Sequence, residues 1–150
     1  MDTATTTVAA PPGRVYGLVA DVTNMGRWSP ECYRCAWLDG AHEPAVGARF
    51  KGWNRQQLGP VPLQCSTVST VTVATPGQAF AFVTKQSGAT WTYRMEDAGD
   101  GTTRLTETRE DGDKPLVARM FAKVVPNRDE LLRHGMQKSV ERIKAAAEGA

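Results

Sequence analysis

The spacing of apolar side chains changes period along the chain, and each change marks a change of element. From Thr3 to Ala9, threonine alternates with apolar residues, which predicts a first strand ended by Pro11-Pro12. Pro12 suits the first turn of a helix. Val15, Tyr16, Leu18, Val19 and Val22 then recur at helical spacing, so a short helix runs to Asp21 or Val22. Asn24 to Pro30 is rich in helix breakers and predicts a second short helical turn that stops before Pro30.

From there the period is that of strands. Residues 32–38, 48–55, 63–74, 79–86, 90–97 and 103–110 are each bounded by Gly, Pro, Asp or Asn and rich in Val, Thr, Phe, Tyr and Trp. The connections, among them Asp39-Gly40, Gly59-Pro60, Pro76-Gly77, Ser87-Gly88 and Gly99-Asp100-Gly101, are short and carry turn chemistry. Six such strands in succession predict an antiparallel meander.

After Asp113 the helical period returns. Leu116, Val117, Met120, Phe121, Val124 and Val125 form a short amphipathic stretch before Pro126. Asn127 can cap a long helix whose Leu132, Met136, Val140, Ile143 and Ala147 fall on one narrow stripe. A sheet with one apolar face and a helix with one apolar stripe bury both by packing in two layers. The expected fold class is therefore α+β: a seven-stranded antiparallel curved sheet wrapped around a long C-terminal helix, with two short helices after strand 1.

Composition narrows the picture. A chain of 150 residues is long enough for one domain, here expected to span 1–150, with a core that needs neither disulfides nor metal. The 18 basic and 16 acidic residues are scattered and leave a formal charge of +2, so no footprint for nucleic acid is present. The first residues do not read as a secretory signal, and no apolar run approaches the roughly 18 residues that span a bilayer. The expected setting is cytoplasmic, without stable membrane insertion.

Cys32, Cys35 and Cys65 are an odd number and fit a reducing compartment better than a disulfide scaffold. Cys32-Tyr33-Arg34-Cys35 matches a CxxC spacing. It falls on an expected strand, where residues i and i+3 point to opposite faces, and no second pair accompanies it as a zinc site would need. No metal and no cofactor are expected.

The element order and several of its motifs resemble the SRPBCC superfamily, the START-like and polyketide cyclase/dehydrase-like helix-grip proteins. The segments that carry the resemblance are Val15 to Asp21, Trp28-Ser29-Pro30, Gly47 to Asn54, Pro76-Gly77 with Phe80-Ala81-Phe82, Trp91-Thr92-Tyr93, and Gly101 to Glu107. Together they cover nearly the whole chain. The resemblance implies a deep pocket between the concave sheet face and the long helix, used in different members for lipids, hormones or secondary metabolites, or for cyclising polyketides. It supplies no shared catalytic motif.

Period two then assigns faces. If Phe50 faces the concave side, Gly52 and Asn54 do too, while Lys51, Trp53 and Arg55 face out. Asn54 then either brings a polar tip into the cavity or satisfies backbone groups near a bulge. Trp91, Tyr93 and Met95 share one face, as do Leu105, Glu107 and Arg109 on the neighbouring strand. Two arrangements are open for the latter. With Leu105 inward, Glu107, Arg109 and Tyr93 become polar anchors in the cavity; otherwise Glu107 and Arg109 form a solvated ladder with Arg94 or Glu96 on the convex face.

Trp28, Met120, Phe121 and Met136, with Leu116, suit either an adaptable apolar lining or an ordinary filled core. His42 falls in a turn, and His134 lies about 160 degrees around the helix from Met136, which predicts that it faces solvent.

Three functions follow as expectations. The leading one is binding or carriage of a hydrophobic small molecule, a lipid, polyketide or aromatic metabolite, by a monomer or homodimer. The second is a metal-free cyclase or dehydratase in which Tyr93, Glu107 and Asn54 orient and protonate the substrate. The third is a protein-interaction domain like the superfamily's chaperone-activating branch, using the surface around residues 114–125.

Overall fold

The threonine-rich opening forms β1 (Asp2–Val8), which pairs with β7 (Thr102–Glu110), about a hundred residues away in sequence. Between them run β2 (Cys32–Trp37), β3 (Arg49–Leu58), β4 (Val61–Thr75), β5 (Ala79–Thr84) and β6 (Thr90–Gly99), each antiparallel to the next. The sheet order is β1-β7-β6-β5-β4-β3-β2, the expected meander with the first strand closing beside the last. This computed structural model describes residues 1–58, 60–112 and 128–149.

Turn chemistry sets the pairing. Asp100 and Gly101 take φ of 54° and 74°, the left-handed backbone that a two-residue hairpin loop demands. β3 and β4 extend further than their composition implies, because the pair stays in register out to Leu58 and Val61.

Helix α1 (Pro12–Ala20) begins with Pro in its first turn, and buries Val15, Tyr16, Val19 and Ala20. The next turn is a 3-10 helix, Val22–Arg27, whose first amides are capped by Asp21 through a 3.1 Å bond from the Thr23 amide. Helix α2 (Arg128–Glu148) lies across the concave face and buries Met136, Val140, Ile143 and Ala147, four members of the expected stripe. Burying each aliphatic side chain of this kind contributes about 1.5–3 kcal/mol. No helix among the described residues is long and apolar enough to cross a membrane.

The C-terminal half of α2 is fastened to the start of the chain. Arg14 Nε donates to the Ala147 carbonyl at 2.7 Å, Lys144 Nζ to the Thr7 carbonyl at 2.8 Å, and the Ala9 amide to Glu148 Oε2 at 2.8 Å. With α1 filling the same end, the grip is closed there. The amphipathic stretch from Leu116 to Val125, with Met120 and Phe121, and the Asn127 cap lie outside the described residues, and so does the interaction surface expected around 114–125.

Candidate functional site

At the other end, helix and sheet part. A cavity of about 530 Å³ lies between the N-terminal half of α2 (Leu131, Leu132, Gly135, Met136 and Ser139) and the inner face of β2 to β7. That volume falls within the range typical of small-molecule sites.

The wall follows from strand periodicity. Phe50, Gly52 and Asn54 of β3 face inward as their spacing predicts. Their partners across the ladder, Ser69, Thr67 and Cys65, must share that face. Ser69 and Thr67 line the cavity, as do Phe82 and Thr84 of β5. The rings of Phe50 and Phe82 meet edge to face with centroids 5.0 Å apart, which gives this wall a rigid apolar floor. Its hydroxyls satisfy one another: Ser69 Oγ and Thr84 Oγ1 are 2.9 Å apart, and Asn54 Nδ2 donates to Thr67 Oγ1 at 3.2 Å. Asn54 therefore presents its side chain to the cavity and is held by a neighbouring strand.

β6 and β7 supply the ionisable pair. Leu105 is inward, and Glu107 with it, so the solvated-ladder arrangement does not occur. Tyr93 sits directly across from Glu107, and its hydroxyl donates to Glu107 Oε1 at 3.1 Å. Glu107 Oε2 is buried and has no hydrogen-bond partner among the described residues. Burial pushes the Glu107 carboxyl up to about 8, and the bond from Tyr93 offsets only part of that rise. Burial beside this carboxyl raises Tyr93 further still, so the phenol keeps its proton. At neutral pH the carboxyl is mostly a neutral acid. Since Oε1 accepts from Tyr93, Oε2 is the oxygen left to carry the proton.

Of the residues expected at the site, the structure brings Phe50, Asn54, Trp91, Tyr93, Glu107 and Met136 together around one cavity. Trp28, Met95 and Arg109 are buried but stand off it, a correction to their expected place. Trp28 packs into the core behind the 3-10 helix, where its carbonyl accepts from Arg142 at 3.3 Å. Met95 continues the inward face of β6 past the end of the cavity, into the core. Arg109 pairs with Asp111 at 2.7 Å and lies over the Trp91 ring at 5.6 Å, so its charge is met at the sheet end. His134 is exposed as its helical angle predicts, yet it also stands on the cavity rim, since α2 has left the sheet at that level. Arg55, expected outside, is exposed and reaches the same rim.

The largest correction concerns β2. Cys32 and Cys35 do not face opposite ways: both are buried, both line the cavity, and their sulfurs are 3.2 Å apart. A β-bulge between Cys32 and Arg34 inserts Tyr33 as an extra residue opposite the Asn54–Trp53 step of β3, which breaks the alternation of sides. Met25 of the 3-10 helix adds a third sulfur, 3.7 Å from Cys35.

Several lining residues are ones that strand-by-strand reading passes over: Thr67, Ser69, Thr84 and Phe82. The signal for Ser69 and Thr67 lies in their pairing with Phe50 and Gly52, and that for Thr84 and Phe82 in the pairing of Ser69 and Val71 with them, available once the registers of β3, β4 and β5 are known.

Fold and cavity together define a helix-grip protein of the SRPBCC superfamily. The model of the family described as polyketide cyclase/dehydrase and lipid transport matches residues 3–148, and the chain belongs to that family. Among curated proteins, none matches the chain. A Polyketide_cyc-like protein from Corynebacterium glutamicum is 31% identical over 97% of this chain and 87% of its own, with a TM-score of 0.58. A protein of Chromobacterium violaceum is 19% identical, with full coverage of both chains and a TM-score of 0.69. The di-domain ARO/CYC StfQ of the steffimycin biosynthetic pathway is 16% identical, with a TM-score of 0.70; 99% of this chain aligns to 44% of StfQ.

Proposed function

We propose that the protein binds a largely apolar small molecule, a polyketide, aromatic or lipid-like metabolite that carries a carbonyl or hydroxyl oxygen. The observation that carries this reading is a buried carboxyl oxygen of Glu107 without a partner among the described residues, on a side chain that lines a 530 Å³ cavity with Phe50, Phe82 and Met136 around it. A buried polar atom without a partner costs about 1–3 kcal/mol, which a guest oxygen accepting from Oε2 would recover. Burial of the guest's apolar surface, at about 25 cal/mol per Å², would supply most of the affinity.

The Tyr93–Glu107 pair favours a second reading in the same cavity, a cyclase or dehydratase. A neutral carboxylic acid beside a substrate carbonyl can donate its proton as enol or alkoxide character develops, and Tyr93 orients it. StfQ carries ARO/CYC in its description, which is consistent with this reading without assigning it here.

Native mass spectrometry of the purified protein, followed by binding titrations with a panel of fatty acids and aromatic ketones, tests the first reading. A bound guest whose affinity falls about tenfold in Glu107→Leu is expected. A cavity that admits no member of the panel overturns it. For the second reading, Glu107→Gln should bind a poly-β-ketone analogue but fail to cyclise it; equal turnover would remove the acid role.

A further inference from the structure

The two cysteines of β2 play no part in either reading. Their placement is built by two features. The bulge at Tyr33 turns both thiols to the same side. Opposite them stands Gly52, whose Cβ position lies at contact distance from both sulfurs, 3.4 Å from Cys35 Sγ and 3.5 Å from Cys32 Sγ, so both thiols gather over the one residue of β3 that has no side chain. The sulfurs are then 3.2 Å apart on the cavity wall.

We propose that Cys32 and Cys35 form a thiol–disulfide exchange site, in which a small organic disulfide entering the cavity is reduced to two thiols as the pair closes to an intramolecular disulfide. The Cys32 thiolate attacks one sulfur of the guest disulfide, forms a mixed disulfide, and expels the first guest thiolate, which takes up the proton Cys32 has lost. Cys35 then loses its proton and attacks the Cys32 sulfur, and the second guest thiolate leaves with that proton. Two protein thiols are oxidised by two electrons and one disulfide is reduced to two thiols, so the balance closes.

The electrostatics of the pair suit these roles. The hydrogen bond from Cys35 stabilises the Cys32 thiolate and lowers its pKa, while the same bond and burial raise Cys35. Cys32 is thus the attacking sulfur and Cys35 the resolving one. The third cysteine stands apart: Cys65 pairs with Asn54, itself the partner of Cys32, so two strand spacings of about 10 Å separate the two. It is exposed and makes no competing bridge.

The test uses the full chain carrying Cys65→Ser, folded, with hydroxyethyl disulfide as the oxidant, an acid quench, intact mass and peptide mapping. The expected product has lost two hydrogens and carries a Cys32–Cys35 cross-link. With Cys35→Ser added, reaction should stop at a mixed disulfide on Cys32. With Cys32→Ser instead, modification should be roughly tenfold slower. A folded protein that stays reduced, or that stops at a mixed disulfide with both cysteines present, overturns the site, as does cross-linking seen only after urea unfolding. The proposal rests on the cavity and not on what fills it. Failure of every apolar guest to bind would leave these outcomes unchanged.

Discussion

Tyr93 and Glu107 face each other across β6 and β7, and the single hydrogen bond between them, 3.1 Å from the phenol to Oε1, is the only one Glu107 makes among the described side chains. One carboxyl oxygen is held by the scaffold and the other is buried without a partner among the described residues. This asymmetry fixes where the proton sits and makes the pair testable by pH.

Folded Glu107 keeps its proton up to about pH 8, whereas an unfolded glutamate releases it near 4.5. Between these values the native state binds more protons than the unfolded one. Its contribution to stability is therefore full below about pH 4.5 and is lost as pH rises toward 8. In that window the slope should approach about 1.4 kcal/mol per pH unit. Urea melts of wild type and Glu107→Gln from pH 4.5 to 9 check this: the difference between them should show the decline, and a pH-independent difference would refute a buried neutral acid.

Removing the phenol has a signed consequence. The Tyr93 hydrogen bond lowers the Glu107 pKa against the effect of burial. Tyr93→Phe should therefore raise that pKa further, moving the midpoint of the pH-dependent decline upward, and destabilise the fold by about 1–3 kcal/mol through the second orphaned oxygen. The same melts, read for their midpoint, decide it.

The two ends of α2 should respond differently to truncation. Ile143 is fully buried where helix and sheet are in contact, so Ile143→Ala should cost about 2–5 kcal/mol. Leu132 is half-buried on the cavity wall and already borders empty space. Leu132→Ala should cost under about 1 kcal/mol and alter guest affinity instead, as thermal melts and binding titrations will show.

Gly26 is required by a close approach. A Cβ on it would collide with the backbone carbonyl of Tyr33, the bulge residue, which is not a side chain that can swing away. Gly26→Ala should destabilise by about 1–3 kcal/mol. It should also displace the bulge, so that thiol exchange at Cys32 falls with it, measured by cross-link yield in the folded fraction.

The fold was legible because it rests on period. Threonine alternation in β1, six strands punctuated by Gly, Pro and Asp, and the Met136-Val140-Ile143-Ala147 stripe each needed only local spacing, and packing honoured all of them. Part of the site was legible for the same reason, since alternation groups Phe50 with Asn54, Trp91 with Tyr93 and Leu105 with Glu107, but it leaves open which face of the sheet the Leu105–Glu107 set occupies. The remainder depends on what alternation omits. A bulge at Tyr33 inverts the parity of Cys32 against Cys35, and no composition marks it. Thr67, Ser69 and Thr84 are inward only through their partners' register. Met95 and Arg109 continue the right faces, but the cavity ends before it reaches them, and where a helix leaves a sheet is a property of the whole packing.

The fastening of α2 to the opening strand also governs how the chain must assemble. Bonds such as Ala9 to Glu148 and Lys144 to Thr7 join positions 139 and 137 residues apart, and β1 pairs with β7. Closing such loops costs entropy before any contact repays it, so the last helix and first strand dock late and together. Folding on this topology is slow relative to a helical bundle of equal length. Until the final turns near Glu148 have emerged and docked, the oily inner face of the sheet stays open to unwanted partners.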